Sequence, residues 1–246
     1  MHIEQAAVVE GSETPIGEGR TGALRCVLIL GDGSRRGGLL KRAPLGQVAA
    51  EAFTALLFRA WGLRVPDPYL VAEGGGVAFA SADLAYPNLK QRLQIDAFPP
   101  GPVRNVLERM GCQLACGLAS TPLAIAADEA IDNRDRNLGN ILWDGQEEAW
   151  IDHAFALGQG PAMADVNKLC VMAVMAGEDV RLAQGAVARA LTIDPATGAA
   201  VEAALPADLA SNAMAAFVAA RVAALAGRVL ARFPRPPDLL SPLNGN

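Results

Sequence analysis

Residues 131–155 read IDNRDRNLGNILWDGQEEAWIDHAF, and the interpretation of the whole chain turns on them. Asp135 and Asn140 form D-x-x-x-x-N, and Asp152 follows twelve residues beyond Asn140. Between them, two apolar runs flank Asp144-Gly145, a turn pair that predicts a β-hairpin. A hairpin returns the end of its second strand beside the start of its first, so Asn140 and Asp152 are expected to be neighbours. Taken singly, an Asp or Asn in a loop is ordinarily a turn or capping residue. As a set, they supply a carboxylate near an acceptor hydroxyl and two oxygen ligands for magnesium, which is what phosphoryl transfer on ATP requires.

The segments before this stretch read as strands. Residues 5–10 and 23–30 alternate in polarity, and Gly31-Asp32-Gly33 turns the chain into a third short strand at 38–41, so an antiparallel meander is expected. The loop GSETPIGEGRTG, residues 11–22, carries four glycines and cannot easily be regular structure. Lying ahead of Lys41, it is placed to cover phosphates through the backbone of Gly17 and Gly19 and the hydroxyls of Ser12, Thr14 and Thr21. No Gly-Lys-Ser/Thr follows, so it is not a Walker A loop. Residues 46–62 have helical apolar spacing and a glycine stop, and carry Glu51 near their start. Arg42 competes with Lys41 as the inward-facing base, because a shift of one residue exchanges the faces of a strand. Residues 66–73 and 77–81 then form a hairpin around Gly74-Gly75-Gly76.

From about residue 102 the pattern becomes helical. The run 103–131 is expected to break at Thr121-Pro122, and 163–176, 180–191 and 207–232 read as further helices. Strands followed by helices give an α+β class. The expected division is 1–82, then a helical part at 83–235, then a Pro-rich tail at 236–246.

Composition narrows the possibilities. With 52% apolar residues among 246, the chain can bury a full core. A net charge of −5 gives no global attraction for nucleic acid or an anionic membrane. Cys26, Cys112, Cys116 and Cys170 show no Cys-x-x-Cys spacing and only two histidines are present, which supports neither a disulfide framework nor a zinc site. No segment approaches eighteen uninterrupted apolar residues and the N-terminus lacks a signal pattern, so a cytoplasmic, non-membrane location is expected.

The pattern N-x-D-R-x-x-x-N at Asn133, Asp135, Arg136 and Asn140, followed by a short hairpin and Ile151-Asp152, resembles the catalytic and metal-binding segments of HipA-like kinases. Upstream, Lys41, a helix carrying Glu51, and Trp61-Gly62-Leu63-Arg64-Val65-Pro66 follow the same order as in that family. Ala154 stands where such enzymes commonly have Gly, and Asn137 where relatives have His. The resemblance implies a two-lobed protein-kinase-like fold, with a small antiparallel β-rich N-lobe and a mainly helical C-lobe. It implies ATP and magnesium as cofactors, Asp135 and Arg136 as catalytic residues, a Lys41–Glu51 pair on the phosphates, and Asn140 and Asp152 on magnesium. It also implies a serine/threonine acceptor on a protein and, by extension, a toxin role with an antitoxin-type partner. Two alternatives remain: a small-molecule phosphotransferase resembling aminoglycoside kinases, disfavoured by the lack of His-Gly before Asp135, and a nucleotide-binding pseudokinase.

Overall fold

The segments near the start of the chain become strands: Glu4–Val8 alternates half-buried with exposed positions, and Leu24–Leu30 buries Cys26 and Leu28 between less buried neighbours. They are β1 (Glu4–Val8), β2 (Thr14–Pro15), β3 (Leu24–Leu30), β4 (Arg35–Lys41), β5 (Pro68–Glu73) and β6 (Gly76–Ala82). The structure is a computed structural model and describes residues 2–16, 22–211 and 213–234. The expected meander is only part of the arrangement. β3 and β4 pair antiparallel, but β1 lies parallel to β5 and antiparallel to β3. The ladders β1–β5, β5–β6, β6–β4, β4–β3 and β3–β1 therefore close on themselves, which pairs edges that an open meander would expose. Cys26, Leu28, Leu40, Tyr69, Val71 and Ala80 form the core of this strand-rich part. Gly38 makes room for it: a Cβ there would lie 2.5 Å from Leu28 Cδ1.

α1 (Leu45–Ala60) packs against β5 and β6 and is buried continuously from Val48 to Phe58, Glu51 included. Such an all-round burial makes it a core element rather than a surface helix. It belongs to the main hydrophobic core together with the helical part, so β4 and the later loops meet across it. After the short α2 (Leu89–Arg92), the expected long run splits into α3 (Pro102–Gly117) and α4 (Thr121–Ala130), bent by 92°. Pro122 sits in the first turn of α4, where a missing N–H costs nothing.

The predicted hairpin is present as β7 (Ile141–Trp143) and β8 (Glu148–Trp150), with Ile141 opposite Trp150. Trp150 is fully buried, and its indole N–H donates to Ser120 Oγ at 2.9 Å, so the hairpin is riveted to the start of α4. The remaining helices are α5 (Lys168–Ala176), α6 (Asp179–Ala190), α7 (Thr197–Glu202), α8 (Ala213–Val222) and α9 (Leu225–Ala231). Here the expectation of one helix over 207–232 fails, since α8 and α9 meet at 69°. Helix 163–176 also begins later than expected, at Lys168, because Asn167 caps it: its Oδ1 accepts from Leu169 N. The whole is a mixed α+β protein with a β-rich N-terminal region and nine α-helices among the described residues. All four cysteines are buried and free. No single helix among the described residues is long and apolar enough to cross a membrane.

Candidate active site

Lys41 ends β4 with its side chain turned towards α1, while Arg42 points the other way and pairs with Glu13 and Glu73. The register is thus settled in favour of Lys41. Its Nζ donates to Glu51 Oε1 at 2.5 Å and to Asp152 Oδ1 at 2.8 Å. The second oxygen of Glu51 accepts from His153 N at 2.9 Å, so one buried carboxylate fixes both the lysine and the backbone after Asp152. Burial alone would lower the Lys41 pKa, but the charges of Glu51 and Asp152 outweigh it and hold it above its ordinary value. Burial would likewise raise the Asp152 carboxyl, and Lys41 pulls it below the usual range.

Asp152 lies just beyond β8, and the backbone bond from Ile151 N to Asn140 O at 3.2 Å confirms the predicted proximity of the two hairpin ends. Asp152 has φ +65, a conformation that costs a non-glycine residue energy and persists only where its surroundings enforce it. Lys41 is one such enforcing contact. Ala154, by contrast, is not among the residues with positive φ, so glycine is not required there.

Asp135 is held from behind. Its N–H donates to Asn133 Oδ1 at 3.2 Å, and its carbonyl accepts from Asn137 Nδ2 and Asn140 Nδ2, both at 3.0 Å. The side chain is left for the open side, where Lys168 Nζ meets Asp135 Oδ1 at 2.8 Å. Lys41, Glu51, Asp135, Asn140, Asp152 and Lys168 all face one cavity of about 1470 Å³. Apolar side chains also line it, Leu39, Val65, Phe79 and Leu142 among them.

Arg136 is not in this cavity. It is fully buried, donating to both oxygens of Asp128 (2.9 and 2.8 Å) and to the carbonyls of Asn140 and Ile151 (3.2 and 2.6 Å). The expectation that it is a catalytic residue therefore gives way to a positioning role: it ties the loop to the start and end of the hairpin. Ser12 is similarly occupied, its Oγ donating to Val9 O and accepting from Val27 N, and neither it nor Thr14 lines the cavity. Gly17, Gly19 and Thr21 lie outside the described residues.

Can these residues hold magnesium and ATP? Asn140 Oδ1 and Asp152 Oδ2 accept no hydrogen bond from any described residue. Among the described residues no group of three His, Cys, Asp or Glu side chains comes together as a metal site. Two oxygen donors beside a cavity suit magnesium, which is commonly held by one or two protein oxygens and completed by phosphates and water. The residues fit the group.

No family model and no curated protein sequence matches the chain. Among solved structures it is similar to HipA of Shewanella oneidensis MR-1, determined with HipB and operator DNA, at a TM-score of 0.50 and 15% identity. The match covers 89% of this chain and 64% of that one, so this protein spans about two-thirds of the length of that HipA. The likeness to that HipA is one of fold. A further similar structure is the Helicobacter pylori proinflammatory kinase CtkA, at a TM-score of 0.46 and 13% identity, covering 85% of this chain and 93% of that one. Lys168, which lines the cavity and meets Asp135, is a residue that sequence reasoning passed over. Its signal was Asn167, a capping residue whose significance was hidden inside an apparently continuous helical run.

Proposed function

We propose that the protein is an ATP-dependent kinase built from two lobes, residues 1–82 for nucleotide binding and 83–235 for catalysis, with 236–246 as a tail. What supports this reading most is the Lys41 bridge to Glu51 and Asp152, facing the same cavity as Asp135 and Asn140. In this mechanism Lys41 neutralises phosphate charge, and Glu51 keeps it in place. Asn140 and Asp152 provide oxygens for magnesium, which when bound offsets charge on the phosphates. The apolar side chains of Leu39, Val65, Phe79 and Leu142 offer a slot for a flat base. Asp135 orients the acceptor hydroxyl and receives its proton. Arg136 acts only by holding Asn140 and the end of β8 in register.

The acceptor we favour is a serine or threonine on a protein. Because the similar HipA occurs with HipB, an antitoxin-type protein partner and a toxin role belong to the same proposal. The charge of −5 speaks against direct nucleic-acid binding. The test is incubation with labelled ATP and magnesium, scoring label on protein and phosphate released. Asp135→Ala and Asp152→Ala should each lower turnover about a hundredfold or more. Equal turnover in the wild type and both variants would overturn the assignment.

A further inference from the structure

The contact between Lys168 and Asp135 calls for an explanation that packing does not supply. Lys168 opens α5, the positive end of a helix dipole, where a cation is disfavoured by about 0.3–1 kcal/mol. A helix start chosen for stability alone would carry Asp or Glu. The position is nevertheless firmly built. Asn167, buried beside it, donates through Nδ2 to Ile125 O at 3.0 Å and caps the helix through Oδ1, so the first turn of α5 is pinned to α4. That anchoring delivers the ammonium to the cavity, where Asp135 is the only carboxylate it meets among the described residues. Both side chains are about one-third exposed, which leaves Nζ room for further partners. Lys41, the other lysine paired in the cavity, is already held by two carboxylates.

We infer that Lys168 is a catalytic residue of the phosphoryl transfer, contacting the transferring group as it leaves ADP; this rests on the kinase reading above. In the step, the bond from the β–γ bridging oxygen to the γ-phosphorus breaks and ADP keeps the electron pair. The acceptor oxygen forms the new bond to phosphorus, and its proton passes to Asp135. An acceptor hydroxyl on Asp135 stands within one ion contact of Lys168 Nζ, so the ammonium meets the equatorial phosphoryl oxygens where charge is redistributed. Lys41 serves bound nucleotide from the strand side, and Lys168 serves the transfer from the acceptor side. Its three donors let it hold Asp135 and a phosphoryl oxygen together.

The discriminating measurement needs no known acceptor. Binding of magnesium-ADP is compared by calorimetry with and without aluminium fluoride, a mimic of the transferring phosphoryl group, for the wild type, Lys168→Met and Lys168→Arg. Wild type should bind more tightly with aluminium fluoride. Lys168→Met, which keeps the aliphatic stem, should bind magnesium-ADP within about twofold of wild type but lose at least tenfold of the tightening. Lys168→Arg should keep part of it, and its folding is checked by an unchanged Tm. Full tightening in Lys168→Met, or equal weakening of magnesium-ADP with and without aluminium fluoride, would overturn the assignment. So would a wild type that binds magnesium-ADP but gains nothing from aluminium fluoride. A wild type that binds no magnesium-ADP would remove the kinase reading itself and this inference with it.

Discussion

Asp135 and Arg136 are adjacent in the chain and share a motif, yet they occupy opposite faces of one loop. Asp135 opens into the cavity with one side-chain partner, Lys168; Arg136 is sealed in the interior against four residues, the side chains of Asp128 and His153 and the carbonyls of Asn140 and Ile151. The loop works because its inner face is over-determined and its outer face is not. The interior network fixes the backbone, so that a side chain across from it can be left about one-third exposed without losing its place. The largest effect should come from breaking the interior side. Arg136→Met leaves Asp128 as a buried, unpaired carboxylate, and denaturant unfolding should show a loss of about 3–5 kcal/mol. Replacing both partners, Arg136→Met with Asp128→Leu, should recover most of that loss, because neither charge is then stranded. A loss below about 1 kcal/mol in the single variant would mean the network does not hold the loop.

His153 sharpens the same contrast, since it packs on the interior side although it follows Asp152. Its Nδ1 lies 3.3 Å from Arg136 Nη2, which donates, so the ring proton belongs on Nε2, and that atom is buried without a partner among the described residues. Phe58 meets the ring edge-on at 4.7 Å. Burial first, then the charges of Arg136 and Lys41, push its pKa well below the ordinary value; the nearby acids, Glu51 and Asp128, are already committed to Lys41 and Arg136. Neutral in the fold, His153 takes up a proton in the unfolded chain near pH 6.5. Below that pH the unfolded state therefore binds more protons, and stability falls as pH falls, by about 1.4 kcal/mol per unit from this group. His153→Phe should remove this slope between about pH 5 and 6.5. An identical pH profile in the variant would show that the ring is protonated in the fold.

The two faces also differed in how far the sequence disclosed them. The Asp144-Gly145 pair announced the hairpin, and with it the meeting of Asn140 and Asp152; the loop is four residues, 144–147, and Asp144 Oδ1 closes it by accepting from Gln146 N and Glu147 N. Likewise, the strand-to-helix order of Lys41 and Glu51 was readable from periodicity. Arg136 was misjudged because a motif gives residue identity but not the direction of a side chain, and burial of Arg is rare enough to argue against expecting it. The parallel pairing of β1 with β5 was hidden for another reason: strands more than sixty residues apart pair through tertiary closure, which no local pattern encodes. Lys168 needed both kinds of information, the start of α5 and its return to Asp135 across thirty-three residues.

The smallest stability effect belongs to the outer face, and it is the most informative. Asp135 is positioned through its backbone, by Asn133, Asn137 and Asn140, none of which touches its carboxylate. Its side chain contributes one ion pair, about one-third exposed, and such pairs are worth about 0–1 kcal/mol. Asp135→Asn keeps the shape and removes the charge, so the unfolding midpoint should barely move while phosphoryl transfer falls about a hundredfold or more. A loss of several kcal/mol would place Asp135 with Arg136 as a structural residue and erase the division between the faces. Unchanged stability with undiminished transfer would leave the division intact but take the chemistry away from this loop.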